Sequence, residues 1–160
     1  MAITEAICTS FKADLLLGVH SFRVDGGTGA DTFKMALYTS SATINANTTA
    51  YSATNEVSDA NYTAGGGTLA MLGVTATNTS TSAGTGWIDI TDETWSSVSI
   101  TARGALIYNT TPSANNAANA LVANASVAVL DFGADKTATS GDFTVVFPAG
   151  AASTAILRIA

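Results

Sequence analysis

Any chemistry in this chain must come from very few groups. Among 160 residues there is one histidine, His20, and one cysteine, Cys8. Metal centres and nucleophilic triads need several imidazoles or thiols, or an imidazole beside a nucleophile, so most of those designs are excluded at once. Cys8 falls on the apolar side of a helical stripe and reads as a small buried hydrophobe. His20, two residues before Phe22, reads as a packed or solvated polar residue. Carboxylates pair at Asp92-Glu93 and at Asp131 and Asp135. Neighbours on an extended strand point to opposite faces, so Asp92 and Glu93 do not readily share a substrate. No glycosidase pair follows from spacing alone. With no base and no oxyanion device to name, the expectation is a protein that is not an enzyme, with no metal site and no cofactor.

Three motif matches fail on physical grounds. Gly26-Gly27-Thr28-Gly29-Ala30-Asp31-Thr32-Phe33-Lys34 fits the calcium-binding β-helix nonapeptide. Successive repeats share each ion in such arrays, so a single copy lacks half the ligands. The segment reads instead as a glycine turn feeding a strand at Phe33, with Asp31 at the turn. Asp131-Phe132-Gly133 spells the kinase magnesium triplet without any other kinase element. Asn-x-Ser/Thr sequons begin at Asn47, Asn61, Asn78, Asn109 and Asn124, as chance provides in a chain rich in Ser and Thr. Trp87 and Trp95 would suit sugar stacking if exposed, but large aromatics more often anchor a core.

Composition narrows the partners. Hydrophobic residues make up 47% and charged residues 11%, with 12 acidic against 6 basic side chains and a net charge of −6. An acidic chain with scattered cations has no footprint for a phosphate backbone, so no nucleic acid is expected. The same charge argues against docking on an anionic membrane, and no apolar run is long enough to span one. A chain this hydrophobic is not disordered. Its length suits a single domain, 1–160, burying roughly 68–70% of its unfolded surface. The first residues lack the basic and apolar regions of a secretory signal, so synthesis and folding in a reducing cytosol are expected.

The elements that would position these residues follow from periodicity. Ile7, Phe11 and Leu15 recur at i+4, with Cys8 and Leu16 widening the stripe, which predicts one N-terminal α-helix over 4–18. Thr4 would cap it and Gly18 would end it. From residue 30 the period becomes two: Phe33, Met35 and Leu37 alternate with Lys34 and Ala36. Further strands are expected within 68–75, 86–91, 94–101, 103–109, 126–132, 143–147 and 154–159. Loops are expected at 39–67, 76–85 and 110–125. The fold class is mainly β, an antiparallel β-sandwich or jelly-roll-like arrangement over 30–160 with one N-terminal α-helix.

Several blocks carry a resemblance in chain order: Ala36–Ala42 (ALYTSSA), Thr49–Val57 (TAYSATNEV), Tyr62–Gly67 (YTAGGG), Ile100–Asn109 (ITARGALIYN), Val127–Gly133 (VAVLDFG) and Gly141–Thr144 (GDFT). With Phe11-Lys12 and Leu15 through His20, they resemble small virion structural proteins of tailed bacteriophages, over nearly the whole chain. The resemblance implies a structural part of the particle. The leading expectation is a capsid decoration (cement) protein on the outer surface of the virion head. Its expected partners are the major capsid protein and copies of itself, most plausibly as a homotrimer. The alternative is a tail, fibre or spike component that binds a fibre adaptor or a host glycan. A major-capsid or tail-tube subunit fits less well, because the chain is short for a shell lattice.

Interface candidates follow from exposed-looking apolar and loop positions. They are the helix face around Phe11 and Leu15, and loop residues Tyr51, Glu56 and Tyr62. Core anchoring of the helix and of the long loop is the competing expectation for all five.

Overall fold

A computed structural model describes residues 3–24, 29–76, 84–112 and 123–159. The protein is mainly β, with two antiparallel sheets in a sandwich-like arrangement and a short helix near the N-terminus. In chain order the elements are β1 (Ala6–Ile7), α1 (Thr9–Leu16), β2 (Phe33–Tyr38), β3 (Gly67–Thr68), β4 (Met71–Ala76), β5 (Gly86–Ile90), β6 (Glu93–Asn109), β7 (Ala125–Val145) and β8 (Leu157–Ile159). The larger sheet runs β1-β7-β6-β2-β3 and the smaller β4-β5-β8. One continuous core joins them, with Met35, Leu37, Leu106, Ile107, Val127 and Val129 at its fully buried centre.

The helix is shorter than its apolar period suggests. Residues 4–8 are extended: Ala6 and Ile7 pair with Val129 and Ala128 of β7, and Thr4 N–H donates to the Ile44 carbonyl. Backbone pairing with an open sheet edge wins over helix propensity in so short a run. Thr4 therefore does not cap the helix. Cys8 takes that position in extended conformation (φ −61°, ψ 140°), without a side-chain cap. Phe11 is buried as its spacing predicts, but Leu16 is 91% exposed rather than part of the stripe. Gly18 ends the helix at positive φ (68°), as expected of a C-terminal glycine.

The strands also merge and divide against expectation. The runs 94–101 and 103–109 form one strand, β6, and 126–132 joins 143–147 through the polar stretch between them to form β7. That stretch lacks alternation because residues 133–142 are polar and mostly exposed, with no buried face. β7 also bulges at the start of this stretch: residues 132–135 lie opposite Arg103 alone, between the Ala102↔Lys136 and Gly104↔Asp131 pairs. Gly133 has φ 74°, its N–H donates to Asp131, and Arg103 pairs with the same carboxylate at 3.1 Å. The 68–75 run, by contrast, belongs to two sheets. Gly67–Thr68 pairs with β2, buried Leu69 carries the chain across, and Met71–Ala76 pairs with β5. Of the loops expected at 76–85 and 110–125, residues 77–83 and 113–122 lie outside the described residues, as do Asp25–Thr28 of the glycine turn.

Candidate functional site

Two regions hold the residues singled out by sequence. The first is the long segment 39–67, irregular as expected yet tightly ordered by polar contacts. Glu56 is its hub. Tyr51 Oη donates to Glu56 Oε2 at 2.7 Å, and Tyr62 Oη donates to Glu56 Oε1 at 2.7 Å. Gly65 N–H donates to Oε1 as well, at 2.8 Å. Tyr62 Oη in turn accepts from Leu37 N–H of β2 at 2.9 Å. Tyr108 on β6 donates to the Gly65 carbonyl at 2.7 Å and stacks on Tyr51 with ring centres 4.7 Å apart. Tyr38 reaches the Ser52 carbonyl at 2.7 Å.

Burial, reinforced by the Glu56 carboxylate, pushes the Tyr38, Tyr51 and Tyr62 phenols well above their usual range. The same two causes push Tyr108 up to about 12. All four stay protonated as donors at neutral pH. Both Glu56 oxygens are occupied by internal donors, so this carboxylate is committed to holding the loop and not to acid–base work. The segment is stitched further along by Asp59, which accepts from Ser99 N–H, and by Asn61, which donates to the Ser97 carbonyl. Three of the five interface candidates, Tyr51, Glu56 and Tyr62, thus come together, facing inward. Tyr62 is 6% exposed, and its ring lies 5.9 Å from that of the buried Trp95.

The second region is a groove of about 610 Å³ between α1 and the small sheet. Phe11 and Leu15 line one wall, with Phe22 beside them, so the other two candidates also come together. Phe11 is itself buried, while Leu15 is half-buried. The facing wall is a row across three strands: Val74 opposite Ile88, and Ile88 opposite Leu157. The next row is Ala76, Gly86 and Ile159. A side chain at Gly86 would meet nothing within 4 Å, so the groove is open above it. Val74 and Ile159 stay 63% and 67% exposed, and Leu72 on β4 59%. The lining is predominantly apolar; among the described residues, Lys12 and Arg158 are the charged residues that line it. Two other hollows of about 510 Å³ have a more even polar and apolar lining.

Trp87 lines this groove half-buried, whereas Trp95 is a core anchor against Phe143. Sequence reasoning missed the groove because Val74, Gly86 and Ile159 are far apart in the chain, and only strand pairing brings them together.

The remaining polar groups form a small interior cluster. His20 is buried among Phe11, Phe22 and Phe33. Its Nδ1 lies 3.0 Å from Asn109 Nδ2, which also donates to Asp31 Oδ2 at 2.8 Å. An amide nitrogen can only donate, so Nδ1 accepts and the ring proton sits on Nε2. Nε2 is 3.6 Å from Asp14, too far for a hydrogen bond. Burial lowers the His20 pKa, against the opposing pull of Asp14 and Asp31. Cys8 is fully buried and its thiol pKa is raised by that burial, which keeps it unreactive. Among the described residues, no cluster of three or more His, Cys, Asp or Glu side chains is placed to hold a metal ion. No described helix is long and apolar enough to cross a membrane.

Compared with protein-family models, curated proteins and solved structures, the chain matches none.

Proposed function

We propose that this protein is a structural subunit of a tailed-bacteriophage virion, acting as a capsid decoration protein that bridges capsomers on the head exterior. The observation that carries the reading is the uncovered apolar surface of the small sheet, formed by Leu72, Val74 and Ile159 beside the groove. In a chain with so few charges, such a surface can be covered by another subunit without burying unpaired ions. The order of phage-like sequence blocks supplies the particle context. The inward-facing Tyr–Glu network supports the same reading, since it holds a long loop in a fixed shape without offering a reactive group. Many identical copies would bind a shell strongly through avidity even where each contact is modest.

The test is to image particles and to heat particles lacking the protein. Head-surface density at hundreds of copies, with deletion particles that release genome at lower temperature, is the expected result. Deletion particles as heat-resistant as intact ones would remove the cement role. One observation favours the second reading, a tail or spike module that binds a host glycan: half-buried Trp87 lines the groove. That reading requires a few to tens of copies at the tail and quenching of tryptophan fluorescence by host polysaccharide.

A further inference from the structure

We infer that His20, Asn109 and Asp31 form a proton-sensitive clasp: when the imidazole takes up a proton, Asn109 is displaced and the end of β6 is released. Three chain segments meet here. His20 follows α1, Asp31 precedes β2, and Asn109 is the last residue of β6. The His20 side chain and Asn109 are fully buried, so water does not relieve a mismatch between them. Hydrogen-bond direction sets the state of the ring. Asn109 Oδ1 accepts from Thr111 N–H at 2.9 Å, and Asn109 Nδ2 donates to the Asp31 carboxylate at 2.8 Å. A carboxylate only accepts and a backbone N–H only donates, so these two contacts orient the Asn109 amide independently of the histidine. Its Nδ2 then faces His20 Nδ1 at 3.0 Å as a donor, and only the neutral ring has a lone pair there. A protonated ring sets N–H against N–H. Turning the amide over does not resolve this, because Oδ1 would then face the Asp31 carboxylate and Thr111 N–H would lose its acceptor.

The protonated state has partners of its own, which gives the clasp a second arrangement. Among the described residues, the charges acting on the ring are Asp14 of α1 and Asp31, and both favour the imidazolium. β2 and β6 face the ring with uncharged Phe33 and Asn109, and Phe11 and Phe22 lie against it. Nε2, without a hydrogen-bond partner, lies 3.6 Å from Asp14 Oδ2, so a small shift of the ring toward α1 completes an ion pair. Asp31 is held in place, accepting from Ser21 N–H at 2.7 Å and donating its own N–H to the Ser21 carbonyl. With Asn109 displaced, its carboxylate is the acceptor left for a proton on Nδ1. Each protonation state therefore selects one arrangement of Asn109. Release passes to Thr111, whose N–H loses Asn109 and whose Oγ holds Thr32 N–H at 2.7 Å. Burial opposes protonation, so opening begins below the ordinary histidine value of about 6.5.

The experiment follows the isolated full-length protein by NMR from about pH 7.5 down to about pH 5. At the upper end the imidazole should carry its proton on Nε2. As His20 titrates, protection of Thr111 N–H against hydrogen exchange should fall by about tenfold or more. Leu37 N–H, which donates to Tyr62 Oη further along β2, should keep its protection. In His20→Gln, or in His20→Phe if the first variant does not fold, Thr111 protection should stay constant over the same range. A proton on Nδ1 at the upper end, or a ring that stays neutral throughout, overturns the inference. So does titration without loss at Thr111, a loss that persists in the variant, or a parallel loss at Leu37 that marks global unfolding. Particle imaging is independent of these outcomes, so failure here leaves the virion reading to its own test.

Discussion

The segment 39–67 and the small sheet β4-β5-β8 invert the usual division of labour between loops and sheets. The irregular segment is polar in sequence, yet it closes on itself through Glu56, three tyrosine hydroxyls and the Gly65 amide and carbonyl. The regular sheet, built from Val, Ile and Leu, leaves large apolar side chains uncovered. Loops ordinarily carry function on a rigid scaffold. Here the loop is part of the scaffold, and the surface awaiting a partner is a sheet.

That contrast can be broken most severely at Gly66. Its φ is 75°, and a Cβ there would lie 1.8 Å from the Met35 carbonyl oxygen, so the turn cannot admit alanine without moving β2. Gly66→Ala is expected to cost about 3 kcal/mol or more, read from the denaturant midpoint. A near-neutral result would show that the loop is not pinned there. Glu56→Ala comes next, at about 2–3 kcal/mol, because two hydroxyls and one amide lose their shared acceptor. Glu56→Gln should lose less, since its amide keeps one acceptor oxygen. Equal losses in the two variants would mean that the network needs both acceptor oxygens of the charged carboxylate, since Gln keeps the shape and one acceptor.

A smaller effect depends on pH. The folded-state pKa of His20 is depressed, so the unfolded chain takes up a proton first as pH falls through its reference value of about 6.5. Stability from this group is therefore full above that pH and declines below it, by at most about 1.4 kcal/mol per pH unit. His20→Gln should flatten the stability profile between pH 6.5 and 5. An unchanged slope would assign the acid sensitivity to other groups. The smallest effect on folding belongs to the small sheet: Leu72→Thr and Val74→Thr should each change stability by no more than about 0.5 kcal/mol. The same two changes should lower occupancy on particles, measured by densitometry. Full occupancy would mean that the uncovered sheet is not a contact surface.

Legibility in the sequence follows the range of the contacts involved. The β class, the Phe33–Tyr38 strand, buried Cys8 and the Gly18 stop were readable because each depends on neighbours in sequence. The helix start was misread because Ala6 and Ile7 satisfy a helical period and a sheet edge equally well, and only β7 decides between them. The stretch joining the two halves of β7 was hidden because residues 133–142 are polar and mostly exposed, so no apolar alternation marks them as strand. Tyr51, Glu56 and Tyr62 were picked out as a group worth attention. Nothing in their spacing, however, says that all three face inward.

By itself, then, the sequence determined what this protein is made from. Its charge and its single His and Cys exclude metal and triad designs that need several such groups, its two-residue period sets the strands, and its scarcity of cations constrains its partners. Those are properties of composition and local geometry, fixed before any long-range contact forms. Tertiary structure decided direction: which loop turns inward around one carboxylate, and which sheet rows open onto a groove flanked by Lys12 and Arg158. Direction depends on pairing between residues far apart in the chain, such as Val74 with Ile88 and Ile88 with Leu157, and no local pattern encodes that register.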